Sequence, residues 1–346
     1  MEEPKTVKTE AHVWIRDLTG NESVHGLYLA KSKRLGTTRR GDAYLSITLG
    51  DRTGDVEARV WEGAEDMDGL FSEGDVVEVT GRAGTYRNQI QLVLERVGRC
   101  GRVEDPDLFL ETTPRDVREM MGELRQLLST VRNANLKAVV DRFLADRGFI
   151  SLFKKAPAAK NFHHGYLGGL LEHTLSVCVL VDAVCPHYPE LDRDLVLCGA
   201  FLHDVGKTRE FVFNTHIEYS DEGRLLGHMV LGVSMLEEKL AEIKHFPKEL
   251  SFRLKHIILS HHGAFDFGSP KRPKFLEAFV IHALDDLDAK LNGLGRFISL
   301  DRKEGAWTEY NRLFERYFLK GMLEEEAPGE ENAGEPDIGQ GRLFSS

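Results

Sequence analysis

The spacing of apolar residues changes once along this chain, and that change limits the folds the chain can adopt. From residue 24 to residue 97, apolar and polar residues alternate in five segments separated by turn-forming residues, a pattern typical of short antiparallel strands. From Thr113 to about Leu323 the apolar spacing is helical. A chain of 346 residues is long enough for roughly two domains of ~150 residues each. We therefore predict an α+β multidomain protein, with a β domain followed by an all-α domain.

The order of the five segments, with a short helix or loop between the third and fourth, predicts a five-stranded Greek-key barrel of the OB type. The helical part is predicted to begin with Thr113 as a helix cap and Pro114 in the first turn. The predicted organisation is an N-terminal arm (residues 1–11), the barrel domain (12–100), a linker and helix (101–135), the helical domain (136–323) and an acidic disordered tail (324–346).

The net charge of −11 does not exclude binding to nucleic acid, because much of it is local. Residues 324–337 hold seven acids and no base, so the rest of the chain is only mildly acidic. The N-terminus lacks the pattern of a signal peptide, and no uninterrupted apolar run approaches the ~18 residues of a membrane helix. We expect a cytoplasmic protein that does not contact a membrane.

Histidine and aspartate recur at or near the ends of the apolar helical segments. Such groups are costly to bury unless they are paired or bound to a metal. Imidazoles with carboxylates, and without thiolates, suit Mn²⁺, Fe²⁺, Co²⁺, Ni²⁺ or Zn²⁺. A single histidine on an apolar helix is more often a core residue, and we assign His256 and His282 to that class. The candidate ligands are His173, His203, Asp204, His228, His261, His262 and Asp285.

The helical half resembles the HD-domain phosphohydrolase superfamily. Its H…HD…D pattern is matched by His173, His203, Asp204 and Asp285, and additional positions of two-metal members are matched by His228 and by His261 or His262. More narrowly, an OB-like module before HHGYLGGLLEHT, HDVGK, SHHGAFDFGSP and LDDLDAK resembles the YhaM family of 3′-to-5′ exoribonucleases. The resemblance covers roughly residues 12–320 and is specific in the helical half.

The resemblance implies two divalent ions that clamp a phosphodiester and activate water. Mn²⁺ is the expected metal, with Co²⁺, Fe²⁺, Ni²⁺ or Mg²⁺ as alternatives. Asp204 would bridge the two ions. The first ion would be held by His173, His203, Asp204 and Asp285, and the second by Asp204, His228 and His261.

Beside Asp204 in the metal centre, Lys207 is predicted to place a charge against the scissile phosphate. The resemblance also puts His163 or His164 near the site as a contact to the phosphate or the leaving group, and we select His164. The alternative for Lys207 is an ordinary surface lysine. The sequence does not choose between His261 and His262, since adjacent helical positions point roughly 100° apart. Asp285 is preferred over Asp286 and Asp288, which a solvated acidic face would explain.

The β module contains a cluster of bases that spans the end of the first strand and the loop into the second, where a phosphate backbone is expected to run. Three aromatic residues are candidates for stacking on bases, although Trp61 could equally belong to the barrel core. The predicted nucleic-acid contacts are Lys31, Lys33, Arg34, Arg39, Arg40, Tyr44, Trp61, Tyr86 and Arg87.

These observations predict a metal-dependent enzyme that shortens single-stranded RNA, or single-stranded DNA, from the 3′ end. The alternatives are an HD phosphatase or nucleotidase acting on small nucleotides, and a binding protein without catalysis. The tail segment QGRLF, which begins at Gln340 and ends on Leu343 and Phe344, resembles a peptide that docks on the bacterial sliding clamp. The sequence leaves the physiological metal, the choice of RNA or DNA, the oligomeric state and the pathway open.

Overall fold

The computed structural model describes residues 12–38, 40–86, 89–100, 108–160, 164–213, 216–301 and 303–321. The chain divides into two compact units, residues 1–293 and residues 294–346. The first unit contains both the barrel and the helices that carry the candidate metal ligands.

Five strands close into a barrel in the order β1-β2-β3-β5-β4, which confirms the predicted OB-type architecture. The pairing of β3 with β5 is parallel, and the other pairings are antiparallel. A short helix, α1 (Ala64–Asp68), lies between β3 and β4. The strands are β1 (Ser23–Thr37), β2 (Ala43–Asp51), β3 (Gly54–Val60), β4 (Val76–Tyr86) and β5 (Gln89–Arg99).

Alternation along the strands separates the barrel core from its outer face. On β2, Leu45, Ile47 and Leu49 are fully buried inside the barrel, whereas the intervening side chains point outward. At Gly81 a β-carbon would lie 2.3 Å from the carbonyl oxygen of Val93, so only glycine permits this close approach of β4 to β5. The barrel thus has a packed interior and a polar outer surface.

The second half of the first unit is helical, as predicted, with one added hairpin of β6 (Phe211–Phe213) and β7 (Ile217–Tyr219). Asp116, Asn133, Asp146, Asp192 and Ser220 cap helix starts by accepting backbone N–H groups. The helices are α2 (Val117–Ser129), α3 (Ala134–Ala145), α4 (Arg147–Phe153), α5 (Gly169–Val184), α6 (Arg193–Leu202), α7 (Lys207–Glu210), α8 (Asp221–Ala241), α9 (Lys248–Ser260) and α10 (Leu276–Leu300).

Helix α2 differs from the prediction at its start. The helix begins at Val117, and its cap is Asp116, whose carboxylate accepts the backbone N–H groups of Arg118 and Glu119. The predicted cap, Thr113, instead donates its hydroxyl hydrogen to Glu172 on α5. The buried face of α2 packs in the same core as α5 and α6, so α2 is part of the helical domain.

Helix α5 is the central helix of this core. By length and composition alone, residues Gly169–His187 could cross a membrane, with a mean hydropathy of 1.4. Over half of this stretch is buried inside the structure, including His173. A buried core helix meets the same criteria of length and apolarity.

The helical spacing predicted up to Leu323 is wrong after Leu300, because the described residues 303–321 form turns and bridges and no helix. Two antiparallel bridges join Trp307 to Leu319 and Asn311 to Arg316. Asp301 accepts the backbone N–H of Glu309 and forms a salt bridge of 2.6 Å with Lys320.

Candidate metal centre and nucleic-acid face

Two of the candidate histidines are held by the backbone of their own helices. Nδ1 of His203 donates to the carbonyl oxygen of Ala200 at 2.7 Å, and Nδ1 of His261 donates to that of Ile258 at 2.8 Å. A carbonyl oxygen only accepts, so Nδ1 carries the hydrogen and Nε2 of the neutral ring is left with a lone pair. Both rings are fully buried, and their Nε2 atoms are available as metal ligands.

Two other histidines are held by carboxylates. Nδ1 of His173 lies 2.7 Å from Asp288 Oδ2, and Nδ1 of His228 lies 3.1 Å from Glu210 Oε1. The backbone N–H of His228 donates to the same Glu210 oxygen at 2.9 Å. Carboxylates that orient histidines in this way are typical outer partners of metal ligands.

The Nε2 atoms of His173 and His203 lie near two aspartates. Nε2 of His173 lies 3.2 Å from Nε2 of His203 and 3.1 Å from Asp285 Oδ1. Nε2 of His203 lies 3.3 Å from Asp204 Oδ2. Donors bound to one ion at ~2.0–2.2 Å lie about 3 Å apart, so these four side chains fit a single divalent cation.

A second group of donors lies on the other side of Asp204. Its Oδ1 atom is 3.4 Å from His261 Nε2 and 3.6 Å from His228 Nε2. All three atoms are buried, and none has a hydrogen-bond partner among the described residues. Burying unpaired polar atoms is costly. A cation between these atoms would satisfy them together, so the residues present also fit a metal here.

Electrostatics favour positive charge at this point. Burial disfavours a charged ring at His173, but Asp285 and Asp288 outweigh burial and raise its pKa to about 9. Burial also opposes ionisation of Asp204, yet Lys207 and His203 hold the pKa of its carboxyl well below the usual range. Nζ of Lys207 lies 2.6 Å from Asp204 Oδ2 and is itself buried. Lys207 is therefore not an ordinary surface lysine.

His261 and His262 both face the centre, which the sequence left open. Helix α9 ends at Ser260, and His261 and His262 follow it at the start of a turn. The donor atoms of His228, His261 and His262 lie within 4.8 Å of one another. The turn after them requires Gly263, which has φ 77° and whose β-carbon would overlap the His282 ring.

His164 occupies a different position from the predicted phosphate contact. Its Nε2 lies 3.1 Å from Asp288 Oδ2 and its Nδ1 lies 2.9 Å from the hydroxyl of Tyr166. Both ring nitrogens are thus engaged behind His173, on the side away from Asp204. We correct the prediction: His164 helps to position Asp288.

Sequence reasoning missed two residues that orient the ligands. Asp288 was assigned to a solvated face, but it contacts His164, His173 and Ser176. The spacing could have indicated this role of Asp288, because Asp288 lies three residues after Asp285 and therefore on the same face of α10. Glu210 carried no such signal, because its pairing with His228 depends on how α7 and α8 pack.

The described members of the cluster of bases in the β module, Lys31, Lys33, Arg34 and Arg40, do not form a single patch. Strand β1 continues to Thr37, so successive side chains point to opposite faces. Nζ of Lys33 contacts the carbonyl oxygens of Asp68 and Phe71 and the Asp68 carboxylate, which uses its three hydrogens. Lys33 is therefore a structural residue, a correction to the prediction.

The other residues of this cluster that were predicted to contact nucleic acid have different neighbours. Lys31 pairs with Asp55 at the surface. Arg34 and Arg40 are exposed, and neither forms an ion pair with another residue in the described part of the chain. Arg39 and Arg87 lie outside the described residues.

The aromatic side chains predicted to stack on bases lie at the surface of the barrel and not in its core. Trp61 is 49% exposed, so the barrel-core alternative is wrong, and its ring centroid lies 5.4 Å from that of Tyr44. Gly36 makes room for Tyr44, since a β-carbon there would lie 2.7 Å from the ring. Arg59, which sequence reasoning missed, lies 5.8 Å from the Tyr44 ring centroid. Tyr86 is exposed at the end of β4.

Comparisons with known proteins agree with both domains. A family model described as an HD domain matches residues 170–290, and one described as an OB-fold nucleic acid binding domain matches residues 23–98. Among solved structures, the second OB-fold domain of replication protein A from Methanococcus maripaludis is 19% identical, with a TM-score of 0.23 over 27% of this chain and 98% of that one. The single-stranded DNA binding protein of Thermus aquaticus is 28% identical, with a TM-score of 0.22 over 25% and 42% of the two chains.

The barrel and the histidine–aspartate centre define the chain as a metal-dependent HD-type enzyme with an OB-fold nucleic-acid-binding domain. It is 36% identical to the 3′-5′ exoribonuclease YhaM of Bacillus subtilis, over 83% of this chain and 91% of that protein. The corresponding protein of a Geobacillus species is 34% identical over 89% and 96%, and that of Listeria monocytogenes 32% over 86% and 98%. The chain belongs to the YhaM family of 3′-5′ exoribonucleases.

The carboxylate behind His173 provides a test of the metal centre. We expect Asp288→Asn to weaken binding of a divalent ion by about 10- to 100-fold, because His173 loses the charge that orients it. The matched control is Asp286→Asn on the same helix, where the carboxylate pairs with Lys290 at the surface. Titration calorimetry with Mn²⁺ on metal-depleted protein measures both. Equal affinities for the two variants would contradict the assignment.

Proposed function

We propose that this chain removes nucleotides one at a time from the 3′ end of single-stranded RNA. The observation that carries the proposal is the convergence of four histidine Nε2 atoms and two aspartates in one buried centre. The polarity and the RNA substrate are inferred from the relatives, which are named 3′-5′ exoribonucleases.

The centre suits two divalent ions that share Asp204, and we propose Mn²⁺ for both. One oxygen of Asp204 faces His173, His203 and Asp285, and the other faces His228 and His261. Divalent ions bound here would offset charge on the scissile phosphate and lower the pKa of an attacking water. The chain's part is to hold the donors rigid, since all four histidines are anchored at Nδ1.

Lys207 contacts the scissile phosphate in this proposal. Its ammonium donates to Asp204 Oδ2, and it has further hydrogens that can meet a phosphate oxygen. Its charge is compact and lies one helical turn beyond His203. His262, whose pKa is lowered to about 3 by burial and by His261 and His228, stays neutral and can ligate an ion or accept a hydrogen bond.

On the barrel, we propose that Tyr44 and Trp61 stack on bases while Arg34 and Arg59 accompany the backbone. Arg34 on β1 and Arg59 on β3 are both paired with Ser46 of β2, so they lie in one row on the outer face. Stacking on aromatic rings tolerates any base, which suits an enzyme that digests a strand without regard to sequence.

Oligonucleotide digestion tests the reaction. With Mn²⁺, a 5′-labelled single strand should give a ladder of shortening products and release nucleoside monophosphates. Asp204→Asn should slow this by about a thousandfold or more, since the ions contribute several kcal/mol to the transition state. Asp286→Asn serves as the control. Release of inorganic phosphate from mononucleotides without shortening of the strand would favour a nucleotidase instead.

The stacking face can be tested separately. Trp61→Ala should weaken single-strand binding by ~1–3 kcal/mol, or about 5- to 150-fold, because one stacked base is lost. Leu70→Ala, at another exposed apolar side chain of the barrel domain, is the control and should leave the affinity unchanged. Fluorescence anisotropy with a labelled oligonucleotide gives both values. An unchanged affinity in Trp61→Ala would remove Trp61 from the binding face.

We further propose that the chain acts in the cytoplasm and docks on the replication sliding clamp through the QGRLF segment, which lies outside the described residues. Capture of the chain by purified clamp should be lost when Leu343 and Phe344 are changed to Ala, because both apolar anchors are removed. Unchanged capture by that double variant would end this proposal.

A further inference from the structure

A groove of about 710 Å³ lies between α2 and α4, apart from the metal centre and the barrel face. Five of its lining side chains are cationic, and no acidic residue lines it. The five, which we call the groove cations, are Arg118, Arg125, Arg147, Lys154 and Lys155.

The groove cations form no ion pairs within the described part of this acidic chain. Arg118 does lie near the Asp116 carboxylate, whose pKa is lowered mainly by backbone hydrogen bonds and also by the charge of Arg118. By contrast, nearby Arg115 and Arg142 pair with Glu123 and Glu242. Five like charges around one cavity repel each other unless an anion joins them. The groove therefore favours a ligand with several negative charges.

The floor of the groove is apolar. Val117 of α2, Ile150 of α4, Leu144 and Leu167 line it beneath the cations. A ligand with charged groups on one side and flat apolar surface on the other would match both features. Nucleotides linked by phosphates have this chemistry, with a base or ribose on the floor and phosphates against the arginines.

One end of the groove is joined to the barrel by a short connection. Leu108 and Phe109 pack against Leu27, Leu29 and Val76 of the barrel. Four residues after Leu108, Thr112 lines the groove and bridges to Leu167. Four residues span at most ~14 Å. The groove is therefore within that distance of the barrel surface.

The same end of the groove also borders the helix that carries a metal ligand, because Thr112 is bridged to Leu167, the residue before Gly168. Gly168 lines the groove and caps α5, and His173 lies five residues along that helix, or ~7.5 Å of rise. Thr113 in the groove wall donates to Glu172, which also accepts from Tyr166. The wall of the groove and the positioning residues of the metal centre thus form one connected element.

We infer that the α2–α4 groove binds the phosphate backbone of the substrate strand as it passes between the barrel and the helical domain. This inference rests on the proposed function and adds a binding site to it. Contacts in the groove would hold nucleotides upstream of the 3′ end, so strands too short to span both the groove and the metal centre would not gain from them.

The test compares two triple variants with the same change in charge. Arg118→Gln, Arg125→Gln and Arg147→Gln together remove groove cations, whereas Arg132→Gln, Arg142→Gln and Arg253→Gln remove arginines that do not line the groove. Binding is measured in full-length chains carrying Asp204→Asn, which prevents digestion, with strands of about 4 and about 20 nucleotides. Hydrolysis of bis(p-nitrophenyl) phosphate, measured with Asp204 intact, reports on the metal centre and folding of each triple variant.

The groove variant should bind the long strand at least about tenfold more weakly than the control variant does. The slope of log affinity against log salt should fall by about 2, since three phosphate contacts each contribute about 0.7. Binding of the short strand and hydrolysis of the small ester should match the control.

Long-strand affinity within about twofold of the control would overturn the inference. So would loss of adenosine monophosphate binding with the long-strand affinity intact, because that result would assign the groove to a free nucleotide. If the wild-type chain shortens no oligonucleotide, the proposed function fails, and the groove inference that rests on it fails too. If the wild type shortens the strand and the groove variant binds like the control, only the groove inference fails.

Discussion

The structure of the metal centre depends on one repeated interaction, the hydrogen bond made by Nδ1 of each histidine. Backbone carbonyls hold His203 and His261, and carboxylates hold His173 and His228. In each neutral ring this bond fixes the tautomer and leaves Nε2 facing the two oxygens of Asp204. Without a cation the resulting buried lone pairs are poorly compensated, so the fold itself demands positive charge at this point.

This arrangement explains why so much of the helical core is organised around a few polar side chains. Helices α5, α6, α8 and α10, together with the end of α9, each bring a ligand to the same point, although the ligands are far apart in the sequence. Close backbone packing makes this possible. A β-carbon on Gly206 would lie 1.9 Å from the carbonyl oxygen of His228, so glycine is needed where α7 begins beside α8. The close packing of the apolar core thus holds the buried polar atoms in place.

The sequence predicted the barrel, the helical domain and the identity of the ligand candidates, because each has a local signature. Alternation identifies strands such as β2, and the paired His203 and Asp204 at the end of an apolar helix have few structural explanations. The sequence could not predict which side chains, far apart in the chain, pair with each other. Lys33 was counted with a basic patch because the alternation of β1 was cut short, and His164 was read as a substrate contact because its partner Asp288 lies 124 residues away.

The central claim is that these residues bind two ions through a shared Asp204. The most direct measurement is anomalous diffraction at the manganese edge from crystals of the chain grown with Mn²⁺. The account predicts two peaks, one among His173, His203 and Asp285 and one beside His228 and His261, both in contact with Asp204. A structure in which no manganese peak touches Asp204 would contradict it.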